Sequence, residues 1–488
     1  MRRTLTALVM AVAAVTLAGC SVVAATADAS AVTPLGLARK EQELRNLLPM
    51  AGRDTSVHEM PRRLTPRDDL IEALYDGSWA YYAGDWDRAA KGFVAASDMA
   101  EDRFTKSLRE NAAALITNDL ALSYTPGHTE RLFTHYYGAL AFAGKGDYES
   151  AAVEARRLGA MLQQLDPQMT DRDRSSRALL RYVSGAVFEA YGEANDADVS
   201  YRNARRLAGA DSATIPGRVP IPPDSGDVVI LIENGWVAHK VSQDVVVPVY
   251  GPEAAAFGPK GNVGQQLATA ATIAGKVLLV AATRPEQGIW WVDGKPMVIN
   301  NWGGIGTAQR LDKDGYLMRV SWPVLRKSFE PQRFLAVSGA LRSSGGLTAS
   351  LNDAVAADLS RDRRAVLART IARQAVKLAA TEVAEAKATK KWGEVTGSLV
   401  GGLINAAGAA LERADTRGWL LLPASISAAR VRLPAGPQAV TAVVDGQSRD
   451  IGQVTVRPGR VTVVSRRVWS GQLGAVADRG TIIEGPRR

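Results

Sequence analysis

Cys20 is the one cysteine among 488 residues, so neither an internal disulfide nor a cysteine-rich metal site can be built within this chain. The four histidines stand far apart except for His128 and His135, which argues against a zinc centre. No Gly-x-Ser-x-Gly elbow is present, so no serine carries the motif of an activated nucleophile. Gly258, Gly261 and Gly264 lack the Gly-Lys-Ser/Thr of a phosphate loop and read as a flexible Gly/Pro loop. Two carboxylate pairs, Asp85 with Glu149 and Glu233 with Asp415, have the residue types of glycosidase chemistry. The first pair sits in repeated turns and the second has no fixed separation. The expectation is therefore a protein that is not an enzyme and needs no cofactor or metal.

The chemistry that Cys20 can do is set by what precedes it. Arg2 and Arg3 are followed by the mostly apolar Leu5 to Leu17, a run too short for the ~20 residues of a membrane span. It closes on Leu17-Ala18-Gly19-Cys20, which resembles the lipobox of bacterial lipoproteins. The resemblance implies cleavage before Cys20, a diacylglycerol thioether on its thiol, and usually an acylated amine. Several acyl chains anchor stably where one does not. Ser21 after the cysteine resembles the outer-membrane sorting pattern. The net charge of +9 is spread without a Lys/Arg block, so nucleic acid is not an expected partner.

The elements that would stand on this anchor fall into blocks. Residues 1–19 read as the signal peptide and 20–66 as a lipidated tether with a short charged helix. Residues 67–214 read as helical. There Gly84-Asp85-Trp86-Asp87-Arg88-Ala89-Ala90 is echoed by Gly146-Asp147-Tyr148-Glu149-Ser150-Ala151-Ala152, with a degraded copy from Gly192 to Tyr201. Each copy resembles the turn and second helix of a tetratricopeptide repeat. Gly77 and Gly185 stand before the first and third turns, while Phe93, Ala96 and Ala204 follow at packing positions. Small residues let paired helices approach, and aromatics fill the gap. The turn glycines at 84, 146 and 192 are not spaced by the ~34 residues of a regular array.

Four prolines between Pro216 and Pro223 break any helix, so 215–226 reads as a linker. Residues 227–475 read as an α+β domain. Strands are expected at Asp227–Glu233, Val241–Tyr250, Lys276–Ala281, Gly288–Val292, Tyr316–Trp322, Arg333–Val337 and from Ser427 to Trp469. Asp293-Gly294 marks a hairpin. A helical segment, 351–412, interrupts them, with Leu367, Ile371, Ala375 and Leu378 on one face. Residues 361–392 hold nine basic and three acidic side chains, which suits either a solvated face or an anionic contact. The Gly-rich apolar run from Trp392 to Leu411 reads as a buried helix, a membrane-inserting or oligomerising one being the alternative. Residues 476–488 read as a flexible tail. The fold class expected is multidomain: an α-helical, tetratricopeptide-like solenoid, then an α+β domain with a helical insertion.

A second resemblance rests on phrases in order: Glu233-Asn234-Gly235, Arg369-Thr370-Ile371-Ala372-Arg373, Asp415-Thr416-Arg417-Gly418-Trp419 with Leu422-Pro423, and Arg430-Val431-Arg432-Leu433-Pro434-Ala435-Gly436. Together they resemble a family of uncharacterised bacterial lipoproteins with an N-terminal tetratricopeptide-like region. That resemblance implies no enzymatic activity. Its setting is similar to that of lipoproteins linked with curli-type secretion components and with activators of cell-wall synthases. Glu233, Asn234, Gly235, Arg369, Arg373, Asp415, Arg417 and Trp419 are expected to be structural, with Arg417 and Trp419 anchoring an interdomain contact.

The expected function is that of a lipid-anchored envelope scaffold or assembly protein, at the outer membrane and facing the periplasm, that binds other envelope proteins. The alternative is a lipoprotein that binds peptidoglycan or regulates a cell-wall synthase. In repeat scaffolds the first helix of each hairpin lines a concave face. Tyr82, His135 and Tyr137 are the expected partner-binding side chains there.

Overall fold

The structure is a computed structural model that describes residues 39–51, 57–110, 123–209, 215, 217–249, 251–257, 261–282, 289–292, 295–298, 316–326, 334–338, 347–393, 414–444 and 447–468. Cys20, the leader, the first part of the tether (20–38), the turn expected at Asp293-Gly294, the Gly-rich run 394–413 and the tail lie outside them. The protein is mixed, with a helical block and a sheet-containing region.

A short helix α1 (Arg39–Leu47) precedes three antiparallel helical hairpins. These are α2 (Asp69–Ala83) with α3 (Trp86–Glu110), α4 (His128–Gly144) with α5 (Tyr148–Leu165), and α6 (Arg174–Tyr191) with α7 (Ala194–Ala208). Each hairpin turns on a left-handed glycine, at φ 82° for Gly84, 87° for Gly146 and 109° for Gly192. A Cβ is strained there, which is why the turns repeat that residue. Asp68 starts α2 by accepting from Leu70 N and Ile71 N, and Asp147 does the same for α5 from Ser150 N. Inside the first hairpin the backbones touch: a Cβ on Gly92 would lie 2.8 Å from Gly77 Cα.

Strand β1 (Ser225–Asn234) sits in a four-stranded sheet of order β11-β1-β8-β7, with β7 (Leu347–Ser350), β8 (Ser425–Pro434) and β11 (Val461–Val468). It runs parallel to β11 and antiparallel to β8. One face, with Val229, Leu231, Ile426, Ala428, Val461 and Val463, joins the core of the helical hairpins. The other, with Val228, Ile230, Ile232, Val431 and Val464, packs on Val440, Val454 and Val456 of the hairpin β9 (Gly436–Val444)–β10 (Gln447–Val456). Coverage on both faces explains why β1 is a continuous apolar run rather than an alternating one. The helical block and the sheet thus share a core across the Pro-rich stretch.

A further core forms around the two-stranded pair β2 (His239–Val249)–β5 (Tyr316–Arg326), the short α8 (Gly251–Ala255), α9 (Val263–Ala282) and the long α10 (Leu351–Trp392). Leu367, Ile371, Ala375 and Leu378 of α10 meet Val320 and Trp322 of β5 and Ile273 of α9 there. Short strands β3 (Ile289–Val292), β4 (Lys295–Val298) and β6 (Phe334–Ser338) complete the described elements. The strand expected at Lys276–Ala281 is instead the last part of α9. A short apolar run suits a buried helix as well as a strand, and here the Ala-rich residues before it carry the helix forward.

Candidate functional site

Residues 414–423 run without regular structure along the inner side of α2, α3 and α4, and the motif residues of this segment are committed there. Trp419 is 2% exposed. Its backbone N–H donates to Glu130 Oε1 (2.7 Å) and its indole N–H to Ser78 Oγ (2.8 Å). Its ring lies 5.8 Å from that of Phe93 and 5.6 Å from that of Tyr137. One residue earlier, Gly418 O accepts from the Tyr75 hydroxyl at 3.2 Å. Asp415 holds Arg417 through its backbone N–H (2.9 Å) and through Nη2 (2.7 Å). The Arg417 guanidinium lies 5.6 Å over the Tyr124 ring and 3.8 Å from Asp68 Oδ2. Burial works against this cation, but bonds to Asp415 and the charge of Asp68 outweigh it and raise its pKa.

Deeper in the same seam, Glu233 on β1 and Arg467 on β11 stand opposite each other in the parallel register, with Nη1 3.6 Å from Oε2. Glu233 is 0% exposed. It accepts from the Tyr82 hydroxyl at Oε2 (2.6 Å) and from Ser465 Oγ at Oε1 (3.0 Å). Arg467 donates to the Tyr82 hydroxyl oxygen (2.8 Å) and to the carbonyls of Leu421 (3.1 Å), Gly235 (2.6 Å) and Leu422 (3.2 Å). A single guanidinium thus ties together strand, turn, inner segment and helix. Burial pushes the Tyr82 hydroxyl pKa upward, so it stays a neutral donor. Asn234 O accepts from Ala424 N (2.9 Å), and Gly235 takes φ 65° to turn the chain off β1. A second buried network holds the far end of the seam: Arg430 joins Asp227 of its sheet to Glu189 of α6, at 2.7 Å each.

This arrangement corrects the expected partner-binding face. Tyr137 is buried and Tyr82 half-buried in the protein's own seam, while His135 is buried against Glu154 and Ser97 of the neighbouring helices. The faces of α2 and α4 that would line a concave groove are covered by residues 414–423 and by the sheet. Local spacing marks those faces as aromatic-rich but does not say which distant residues cover them. Arg369 and Arg373 are not brought to the seam. Both lie midway along α10, where Arg373 is buried and Arg369 is partly buried.

One nucleophile-like relay does appear, and sequence reasoning missed it. His135 Nδ1 lies 2.7 Å from Glu154 Oε2, and His135 Nε2 lies 3.4 Å from Ser97 Oγ. The residue types and order match a serine–histidine–acid relay. Acyl transfer also needs N–H donors aimed at a developing oxyanion. Ser97 sits inside α3, where the neighbouring backbone N–H groups are spent on helix bonds. Glu154 also pairs with Arg157 at 3.0 Å. The trio reads as a polar tie between α3, α4 and α5.

No group of three or more His, Cys, Asp or Glu able to hold a metal occurs among the described residues. Two other histidines make a pH test. Burial first, then Arg45 and Arg326, holds His239 down to about 4 from 6.5. Burial, then Arg361, with Arg131 and Arg177, does the same to His128, also to about 4 from 6.5. Well above 6.5 both folded and unfolded states are neutral, and nothing is lost. As pH falls from 6.5 towards 4 the unfolded chain takes up protons that the folded one refuses, so stability falls. The melting temperature is expected to drop across that window. His128→Gln and His239→Gln should each flatten the drop, and an unchanged slope in both would refute the assignment.

Glu130, Arg430 and Arg467 organise the seam, yet no sequence motif singled out their roles. For the two arginines the usable signal was a charge inside an apolar strand, as in Val463-Val464-Ser465-Arg466-Arg467-Val468, whereas Glu130 lies on helix α4. Compared with family models, with curated proteins and with solved structures, the chain finds no match in any of the three.

Proposed function

We propose that this protein is a lipid-anchored scaffold of the bacterial envelope, held at the outer membrane through Cys20 and facing the periplasm. The observation that carries the reading is Leu17-Ala18-Gly19-Cys20, with the chain's one thiol at the end of a basic and then apolar leader. Support for a scaffold comes from the three helical hairpins, whose glycine-turn and small-residue contacts are like those of tetratricopeptide units. Their inner faces are occupied by residues 414–423, so partners in the envelope would dock on outer surfaces and on the ends of the stack. The buried ionic networks hold those surfaces in one arrangement.

Cys20→Ser removes the thiol that a thioether requires, so the variant should incorporate no fatty-acid label and should leave the membrane fraction or accumulate as precursor. Undiminished label on the variant would end the lipoprotein reading. Crosslinking of the anchored protein in intact envelopes, followed by capture, identifies the partner.

A further inference from the structure

The long helix α10 is held at its start and middle and ends on exposed side chains. Asp358 accepts from Thr129 N at 2.8 Å, and Arg361 pairs with Asp173 at 2.8 Å, which fixes its first turns to the helical block. Leu367 to Leu378 bind its middle into the β2–β5 core. From Leu378 to Trp392 the helix runs on for about 21 Å at ~1.5 Å per residue. Trp392 ends it at 59% exposed, ahead of every other large hydrophobic side chain among the described residues.

The helix end that carries this indole also carries Lys387, Lys390 and Lys391, all exposed, with Lys391 Nζ 4.8 Å above the ring. The acids of the preceding turns, Glu382 and Glu385, are partly buried and engaged. Glu394 follows in the sequence, so residues 387–394 keep three lysines against one glutamate, a net charge of +2. Lysines in a last helical turn also answer the negative end of the helix dipole. The dipole does not account for a tryptophan left in water beside them. A helix end that carries an exposed indole and exposed lysines has the chemistry of the membrane–water interface, where the ring sits at headgroup depth and the ammonium groups meet phosphates.

We propose that the tip of α10 is a second membrane contact, in which Trp392 enters the headgroup layer of an anionic lipid surface and Lys387, Lys390 and Lys391 pair with its phosphates. The contact is independent of the Cys20 anchor and would set which side of the protein faces the bilayer. A lysine beside an anionic surface adds about fivefold to partitioning, so the effect of three is measurable without acyl chains.

The test uses the full chain with Cys20→Ser, sedimented with vesicles of phosphatidylcholine alone or mixed with phosphatidylglycerol. Expected are preferential binding to the anionic vesicles, loss of that preference at high salt, and a fall of about fivefold for each charge removed in Lys390→Gln/Lys391→Gln. Trp392→Ala should weaken binding and remove part of the tryptophan quenching by brominated lipid. The leader is common to all variants, so differences between them report the tip. The three residues are exposed, and unchanged melting temperatures would verify that the variants are folded. Equal binding by all variants, or equal binding to both vesicle types, would overturn the proposal and assign the exposed Trp392 to a protein contact instead.

Discussion

Trp419→Ala should lower the stability of the protein by about 3–5 kcal/mol, the range for truncating a large buried aromatic. The ring is in contact with Phe93 and Tyr137, elements far from it in sequence, so its removal opens a cavity where three parts of the chain meet. It also leaves Ser78 without the indole donor at its hydroxyl. Trp419→Phe keeps most of the ring and loses that hydrogen bond, so its cost should be nearer ~1 kcal/mol. Denaturant unfolding, followed by helix signal and by aromatic signal together, measures both. The hairpins and sheet share a core, so the two signals should move in one transition in the wild type and in Trp419→Phe. A loss below ~1 kcal/mol for the alanine variant would show that residues 414–423 lie on the hairpins without holding them.

The parts of this fold that were legible in the sequence are those fixed by local geometry. Gly84, Gly146 and Gly192 had to be glycine because their φ is positive, and the repeated Gly-Asp-aromatic phrase pointed to turns before α3 and α5. The run Val228 to Ile232 was legible as a buried strand because apolar residues without alternation need cover on both faces. Lys276–Ala281 was misread because six residues are too few to separate a helix period from a strand period.

What covers a face is a different kind of information. Tyr82, His135 and Tyr137 lie on hairpin faces that local spacing identifies. The residues that close over Tyr82 and Tyr137 come from positions 233, 419 and 467, brought back by strand pairing that no local pattern encodes, and those on His135 come from the neighbouring helices. For the same reason Asp415, Arg417 and Trp419 could be read as contact residues while Arg467, their tie to the sheet, could not. A charged residue in an apolar strand is a clue that it has a partner, without saying which. Glu233 and Arg467 each carried half of that clue.

Arg467→Met should be among the most damaging substitutions, at about 3–5 kcal/mol, because it leaves a buried carboxylate without its cation. It also removes the donor to three carbonyls, at Leu421, Gly235 and Leu422, which hold the inner segment and the end of β1. Glu233→Gln keeps the shape and much of the bonding to Tyr82 and Ser465, so its cost alone should be smaller. The informative variant is the double one. With Arg467 replaced by Met, the Glu233 carboxylate is the costly group, and Gln in its place should recover part of the loss. The two substitutions should therefore be non-additive, with a coupling of about 1–3 kcal/mol in unfolding experiments. A purely additive result would mean that the bonds to the carbonyls and to the Tyr82 hydroxyl give Arg467 its importance, and that the 3.6 Å approach to Glu233 contributes nothing of its own. A coupling of the stated size would identify charge pairing as the device that sets the register of β1 against β11. The wrong register places a lone ion in the core, whereas the right one places two that neutralise each other.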